Sequence, residues 1–354
     1  MDWFTAPGYW LGRLVFQRAL AGVYLFAFVG AALQFRALIG ERGMLPVPRY
    51  VRRVPFRRAP SLFGLRYSDR LFAGCAWTGA ALAGALAAGA GDAVPPGVAM
   101  GLWAVVWALY LSIVNVGQTW YAFGWESLLL EAGFLAVFLG NARTGLPVLV
   151  LWLLRWLLFR VEFGAGLIKM RGDPCWRKLT CLYFHHETQP VPGPLSWFFH
   201  HLPKPLHRVE CAAGHFTQLC VPVLLFAPQP VASYAAGAIA ATQLWLVLSG
   251  NFAWLNWLTV ALALSPGYAR DWFGPFVERL LAGDRDTLRL LGDNPFPEAP
   301  PVYVRARVYR YRFTTWRELR ATGDWWHRTP VRAYLAPTRL AGTAPGGPAR
   351  SEPE

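Results

Sequence analysis

Long apolar runs, separated by short polar segments, fill the first three quarters of the chain. A helix needs about 20 apolar residues to cross the hydrocarbon core of a bilayer. Six runs reach or approach that length: 14–33, 71–90, 97–117, 123–140, 145–168 and 232–250. Two shorter runs are ambiguous: 216–227 contains a proline and fits a re-entrant segment or the first half of a bent helix, and 251–265 follows the sixth run almost without a turn. The pattern predicts an all-α, polytopic integral membrane helical bundle of about six to eight spans.

The last quarter of the chain has a different pattern. Residues 270–292 place apolar side chains at helical spacing, which is typical of an amphipathic helix lying at the membrane interface. After the helix-breaking "NPFPEAPP", residues 302–313 alternate arginine with aromatic or aliphatic residues and predict an extended segment. The final residues are low in complexity and predict disorder.

These patterns predict a division of the chain into four parts. The first apolar run is too long for a cleavable signal peptide and is expected to remain as an anchor. The predicted parts are an N-terminal segment (1–13), a transmembrane helical domain (14–265) with a Pro/His-rich loop (169–215), an interfacial and extended basic C-terminal region (266–340), and a disordered tail (341–354).

Composition strengthens the membrane interpretation. Hydrophobic residues make up 55% of the chain and charged residues 15%, and the net charge of +14 comes almost entirely from arginine. In a polytopic protein such charge reports topology rather than nucleic-acid binding. The loop 36–70 carries nine arginines and two acidic residues, so the positive-inside rule predicts that it is cytoplasmic. The predicted partner is therefore the lipid bilayer, with no nucleic acid.

The five cysteines form no CxxC pair. Their spacings match no metal or redox motif, so they are interpreted mainly as structural or unpaired thiols, with disulfides as the alternative.

Charged residues within the predicted spans are candidates for function, because charge at bilayer depth is costly. Glu126 and Glu131 lie on the fourth run, and Arg155, Arg160 and Glu162 lie on the fifth. Counting outward from the short turn between the two runs places Glu131 level with Arg155, and Glu126 level with Arg160. The sequence therefore predicts two intramembrane ion pairs.

One stripe of the fifth run combines Arg155, Glu162, Gly166 and Lys169. It leads from mid-membrane to the histidine-rich loop. The stripe either fixes helix packing or lines a polar cavity, and both interpretations are open at this point.

Six of the seven histidines lie between residues 185 and 215, including two adjacent pairs. Adjacent side chains diverge in a strand or a helix, so neither pair can easily share a metal. The sequence therefore predicts no metal site and no cofactor. The open alternatives are a loop whose histidines bond to helix ends, or a proton-transfer role for the catalytic candidates Lys169, His185 and Glu187.

Several motifs together resemble the lipase maturation factor family. They are "RGMLPV", "FGWESLLLEAGFLAVFL", "LSGNFAWLNWLTVALAL", "NPFPEAPPVYVRARVYRYRF" with the residues that follow it, and the long stretch "LLRWLLFRVEFGAGLIKMRGDPCWRKLTCLYFHHETQPVPGPLSWFFHHLP". The resemblance covers nearly the whole chain up to about Pro337. It assigns to the family loop pattern the residues His185, Glu187, Thr188, Gln189, Pro190, Trp197, His200, Leu202 and Pro203, while His186 and His201 fall outside that pattern.

The resemblance implies a multi-pass membrane protein that assists the folding, assembly or export of a partner protein, such as a secreted lipase. The resemblance therefore favours a non-enzymatic assembly factor over an enzyme. Animal members of the family reside in the endoplasmic reticulum, and a bacterial member would occupy the cytoplasmic membrane. In typical relatives a long segment separates the "LTVALAL" helix from "NPFP", whereas here residues 265–293 connect them directly, so client assembly is expected only if that segment is dispensable.

A distant similarity to the transmembrane domain of vitamin K-dependent gamma-carboxylases implies an alternative function. This is a membrane-embedded enzyme acting on a lipid or quinone-like substrate, with Lys169 as base and His185 or Glu187 relaying protons. A small-molecule carrier is a third, weaker alternative.

Overall fold

The structure is a computed structural model that describes residues 9–189 and 192–265, together with short segments between 303 and 339. The predicted interfacial helix at 270–292 and the predicted tail at 341–354 lie outside the described residues, as do residues 1–8 of the predicted N-terminal segment.

Thirteen helices fill the first two described ranges. They are α1 (Trp10–Leu38), α2 (Val47–Val51), α3 (Asp69–Ala88), α4 (Ala90–Ala93), α5 (Pro96–Val116), α6 (Gly124–Val137), α7 (Val148–Arg171), α8 (Pro174–Arg177), α9 (Leu182–Thr188), α10 (Ser196–His200), α11 (Lys204–Leu219), α12 (Val231–Ser249) and α13 (Leu255–Leu264). Short 3-10 helices occupy Leu62–Gly64, Gln118–Tyr121 and Val221–Phe226.

Local sequence signals set several of these boundaries. Ser68 caps α3 by accepting a hydrogen bond from the Leu71 N–H at 3.1 Å, and Gly89 ends that helix with a φ of 114°, a left-handed conformation that glycine adopts without strain. Pro96 stands in the first turn of α5, where its missing N–H costs no intrahelical bond. The helices therefore begin and end where turn and cap residues interrupt the apolar runs.

The prediction of an all-α, polytopic helical bundle is confirmed for the described residues between 9 and 265. By length and composition, five helical segments of the described residues can cross a membrane: Trp10–Leu38, Asp69–Ala88, Pro96–Val116, Lys204–Phe226 and Val231–Ser249. The prediction of about six to eight spans also counted the runs that form α6 and α7. Helix α6 has only 14 residues, and the 24-residue α7 carries five charged side chains.

The segment 169–215, predicted as a loop, is largely helical. It contains the end of α7, the short helices α8, α9 and α10, and most of α11. The ambiguous run 216–227 belongs to a bent helical segment, as its second half rather than its first, because it continues α11. The chain tightens there into the 3-10 helix Val221–Phe226, where Pro222 lacks the N–H that an α-helix would need.

Helix α1 forms the centre of the core and packs closely on α3 and α6. Tyr24 is fully buried, and its hydroxyl donates a hydrogen bond to the carbonyl oxygen of Leu129 at 2.9 Å. Gly133 on α6 allows this approach, because a Cβ at that position would overlap the Tyr24 ring and hydroxyl. The short α6 is therefore held against the long α1 by packing and by a buried hydrogen bond.

Side-chain contacts identify which segments lie at each end of the helical bundle. At the end called here the Tyr9 end, Arg18 pairs with Asp92 at 2.9 Å, and Gln229 donates to the Tyr9 hydroxyl at 3.1 Å. At the opposite end, Asn115 donates to the carbonyl oxygen of Pro60 at 2.7 Å. Because successive long helices alternate in direction, the arginine-rich loop 36–70 and the segment 172–203 lie at this opposite end, which is called the arginine-loop end below.

The described part of the C-terminal region contains strands and one helix. Strands β1 (Tyr303–Val304) and β4 (Thr338–Arg339) pair antiparallel, as do β2 (Arg307–Phe313) and β3 (Trp326–Ala333), with α14 (Trp316–Thr322) between β2 and β3. The register of the longer pair runs from Arg307 opposite Ala333 to Phe313 opposite Trp326. The extended conformation predicted for the alternating segment is therefore confirmed over β1 and β2.

Candidate functional site

A cavity of about 720 Å³ lies between α7, α9, α11, α12 and α13. Most of its wall is apolar, and polar side chains enter it from every one of these helices. The polar and ionisable lining residues include Glu162, Lys169, His185, His186, Gln189, Glu210, Cys211, Thr217, Gln218, Gln243, Ser249, Asn256 and Thr259. A largely apolar cavity with a few converging polar groups is the usual form of a ligand site.

Glu162 is the most deeply buried acid in the wall, with 1% of the residue exposed. Its Oε1 accepts a hydrogen bond from Gln243 Nε2 at 2.5 Å, while its Oε2 has no hydrogen-bond partner among the described residues. The same is true of Gln218 Oε1, Gln243 Oε1 and Asn256 Nδ2, which also belong to lining residues. Burying a polar atom without a hydrogen-bond partner costs free energy, so water or a polar group of a ligand in the cavity would satisfy these atoms.

Lys169 and His185 share one region of the cavity wall around Trp176. The Lys169 ammonium lies 4.9 Å from the centre of the Trp176 ring, and the His185 ring lies 5.6 Å from it. Burial, with a contribution from the charge of Lys169, lowers the pKa of His185 and favours the neutral ring. Two of the three catalytic candidates are thus brought together, whereas Glu187 lies on α9 with its Oε2 3.8 Å from His200 Nε2 and is absent from the cavity lining.

The predicted stripe on α7 reaches the cavity only in its second half. Glu162 and Lys169 line the cavity, and Gly166 between them packs against α11, where an added Cβ would overlap the Leu219 side chain. Arg155 lies nearer the Tyr9 end and donates a hydrogen bond to the Tyr9 hydroxyl at 3.2 Å. Of the two open interpretations, the cavity applies to Glu162 and Lys169, and packing applies to Arg155.

The predicted partners of the intramembrane charges are wrong. Arg160, rather than Arg155, forms the ion pair with Glu131. Glu126 is 2% exposed and accepts a hydrogen bond from the Tyr110 hydroxyl of α5. The prediction treated α6 and α7 as an isolated hairpin of equal depth, but α6 is short and also packs on α1 and α5, which changes the register.

The remaining family-pattern residues shape the segment beside the cavity. The Gln189 side-chain oxygen accepts a hydrogen bond from the Asn251 N–H at 3.0 Å and holds the turn between α12 and α13 against the end of α9. Trp197 is 1% exposed and acts as a core residue of this segment, and Pro190 lies outside the described residues.

His186, which falls outside the family loop pattern, is a wall residue that sequence reasoning missed. It is 2% exposed, and its Nδ1 lies 3.3 Å from the carbonyl oxygen of Ser249. Burial, aided by the neighbouring His185 and His207, lowers the pKa of His186 to about 4, so the ring is neutral at pH 7. The sequence does contain one signal for the side chains near His186: His207 and Glu210 lie three residues apart, a spacing that places them on one face of α11.

Cys175 and Cys181 form a disulfide, in contrast to the interpretation of the cysteines as mainly unpaired. Cys75, Cys211 and Cys220 are free thiols. A six-residue separation matches no redox motif, and only the turn between α8 and α9 brings the two sulfur atoms together.

The helical bundle and its cavity define a polytopic integral membrane protein with a ligand-sized site between helices. The chain belongs to the lipase maturation factor family. The family model described as "Lipase maturation factor transmembrane domain" matches residues 11–268, and that described as "Lipase maturation factor C-terminal domain" matches residues 239–336. The resemblance of the sequence motifs to this family is thus confirmed.

Curated relatives support the same assignment. The chain is 43% identical over 276 residues to lipase maturation factor 1 of Bos taurus, covering 73% of this chain and 49% of the relative. It is 42% identical over 273 residues to lipase maturation factor 1 of Mus musculus, with 73% and 48% covered. Lipase maturation factor 2 of Homo sapiens is 35% identical over 276 residues, with 71% and 39% covered. The chain spans about half the length of the first relatives, and no solved structure matches it.

Proposed function

We propose that this membrane protein assists the folding, assembly or export of a partner protein, of which a secreted lipase is the leading candidate. The observation that carries the proposal is that the matched transmembrane domain, residues 11–268, contains every element lining the cavity. The names of the relatives supply the client class. On this proposal the cavity belongs to the part of the chain that is shared with the maturation factors.

The disulfide supports an orientation that suits a secreted client. Cys175 and Cys181 lie in the segment 172–203, at the arginine-loop end of the bundle, and disulfides persist in oxidising compartments. The positive-inside rule favours the opposite orientation for the loop 36–70, but that rule is a statistical bias, whereas a stable disulfide requires an oxidant. We therefore place the arginine-loop end on the oxidising side: the endoplasmic reticulum lumen, or the outer face of a bacterial cytoplasmic membrane.

Co-expression tests this function. A secreted lipase from the same source is produced in cells whose own lipase maturation factors have been deleted, with and without this protein. The proposal expects a higher activity per mass of secreted lipase when the protein is present, and recovery of newly made lipase with the protein from detergent-solubilised membranes. Unchanged specific activity, with no lipase recovered, would contradict it.

The cavity also favours a second candidate function, an enzyme acting on a lipid or quinone-like substrate. An apolar chamber of about 720 Å³ that holds Lys169, His185 and Glu162 fits a long apolar molecule with one polar end. The discriminating variant is Lys169→Ala. Loss of a cellular phenotype with client recovery unchanged would favour the enzyme, and loss of client recovery would favour the maturation function.

A further inference from the structure

Three metal-ligating side chains converge beside the cavity from two different helices. His186 comes from α9, and His207 and Glu210 come from α11. One ligand atom from each lies within 4.8 Å of the other two, and His207 Nδ1 is 3.9 Å from Glu210 Oε2. Both histidines are 2% exposed, so the three groups meet away from bulk water.

Backbone carbonyl groups fix the tautomer of both histidines. His186 Nδ1 lies 3.3 Å from the carbonyl oxygen of Ser249, and His207 Nε2 lies 3.2 Å from that of His200. A carbonyl oxygen can only accept a hydrogen bond, so each of these ring nitrogens carries the proton and donates. The opposite ring nitrogens, His186 Nε2 and His207 Nδ1, are the atoms left to offer a lone pair to the cluster.

Glu210 adds a third acceptor, and a hydrogen bond also fixes its orientation. Its Oε1 accepts a hydrogen bond from the indole N–H of Trp245 at 2.7 Å, which orients the carboxylate. Its Oε2, like His186 Nε2 and His207 Nδ1, is buried and has no hydrogen-bond partner within the described ranges 9–189 and 192–265. Two lone pairs and a carboxylate oxygen facing one another repel unless a cation or a hydrogen-bond donor lies between them.

We propose that His186, His207 and Glu210 bind a divalent transition-metal ion, with zinc as the expected metal. Two imidazole nitrogens and one carboxylate oxygen are a ligand set that zinc prefers. The bonds from the outer ring nitrogens to carbonyl groups, and from Trp245 to the carboxylate, are the outer-shell contacts typical of such sites.

The spacing of the ligand atoms suits a small shift on binding. Tetrahedral zinc holds its ligands at about 2.0–2.1 Å, which places neighbouring ligand atoms about 3.3 Å apart. The 3.9 Å between His207 Nδ1 and Glu210 Oε2 must shorten by about 0.6 Å, and the other separations, which are at most 4.8 Å, by up to about 1.5 Å, which rotation of the side chains can supply. Because His186 and Glu210 also line the cavity, the fourth position on the metal is available to water or to a group bound there.

The neighbouring histidines of each adjacent pair do not meet at this cluster. His185 and His186 diverge, as expected for neighbours on a helix, and His185 faces Trp176 instead. The partner of His186 lies 21 residues further along the chain, on α11, where His207 and Glu210 share a face. The site therefore depends on the packing of α9 against α11.

Metal analysis of the full chain tests the proposal. The protein is purified in detergent with an affinity tag that contains no histidine, and its bound metals are measured by mass spectrometry before and after dialysis against chelator and then zinc. We expect about one zinc per chain, and competition with a chromophoric chelator should show at least a tenfold weaker affinity for Glu210→Gln and for His207→Gln. The matched control, His215→Gln, changes a histidine on the same helix outside the cluster and should bind zinc like the wild type.

Thermal unfolding, measured for each variant with and without zinc, separates loss of zinc binding from a general loss of stability. At the same zinc concentration, zinc should raise the unfolding temperature of the metal-free wild type and of His215→Gln by more than that of Glu210→Gln, whose weaker affinity gives a smaller shift. Two results would overturn the proposal: a wild-type chain that takes up no zinc, which would assign the cluster to a protonated histidine, or zinc binding that Glu210→Gln and His207→Gln leave unchanged.

Discussion

The ion pair between Glu131 and Arg160 gives a quantitative test of the helix register. Helix α6 supplies the acid and α7 the base, and the two side chains are 45% and 50% exposed. Aromatic residues Trp107, Phe134 and Trp156 surround them. Reversing one charge, by Glu131→Arg or Arg160→Glu, places two like charges side by side, and exchanging both restores an opposite pair.

The environment of the pair sets the size of the effect. Two unit charges about 4 Å apart interact by about 1 kcal/mol in water and by about 4 kcal/mol at an effective dielectric constant of 20. Partial exposure moves this pair toward the lower value, and its aromatic surroundings exclude part of the solvent. Polar contacts between membrane helices contribute up to about 1.7 kcal/mol in double-mutant cycles. We therefore expect a coupling free energy of about 1–2 kcal/mol, or about a 5- to 30-fold change in an unfolding equilibrium.

The assay is a double-mutant cycle on the unfolding of the purified protein in detergent micelles. Each single reversal should destabilise the fold, and Glu131→Arg with Arg160→Glu should recover most of the loss. The matched control is Glu131→Arg with Arg155→Glu, which should recover nothing, because Arg155 contacts Tyr9. Recovery in the control, and not in the Arg160 exchange, would refute the register.

Two further predictions concern a buried hydrogen bond and the disulfide. Tyr110→Phe removes the donor to the buried Glu126 carboxyl group and should lower the unfolding free energy by about 1.5–3 kcal/mol. Glu126→Gln keeps an acceptor for the Tyr110 hydroxyl and should lower the unfolding free energy by less. Equal stability of Tyr110→Phe and wild type in a denaturant titration would contradict this prediction. In intact membranes, Cys175 and Cys181 should resist thiol alkylation until a reductant is added on the oxidising side, and alkylation without reductant would show that the pair is not bonded.

The sequence predicted the membrane helices well, because apolar length decides them locally. The runs at 14–33, 71–90, 97–117 and 232–250 lie within α1, α3, α5 and α12 or overlap most of each. Prediction failed where tertiary contacts override local pattern. The segment 169–215 reads as a loop because its prolines and histidines interrupt every apolar run, yet short helices form there since prolines can occupy their first turns.

The candidate site was only half visible in the sequence. Glu162 and Lys169 could be recognised because a charge on an apolar helix stands out against its neighbours. The convergence of His186 with His207 and Glu210 could not, because it depends on how α9 lies against α11. The partner of Arg160 was missed for the same physical reason, since depth counted along two helices ignores their tilt and their contacts with others.

On the proposed function, the cavity around Glu162 serves the maturation of a client protein. The most direct measurement is the specific activity of a co-expressed secreted lipase in the presence of wild-type protein, of Glu162→Gln, or of the matched control Glu41→Gln, whose side chain lies in the loop at the arginine-loop end and outside the cavity. We predict that Glu162→Gln, at equal membrane abundance, lowers lipase activity per mass toward the value without the protein, while Glu41→Gln matches the wild type. Full lipase activation by Glu162→Gln would contradict it.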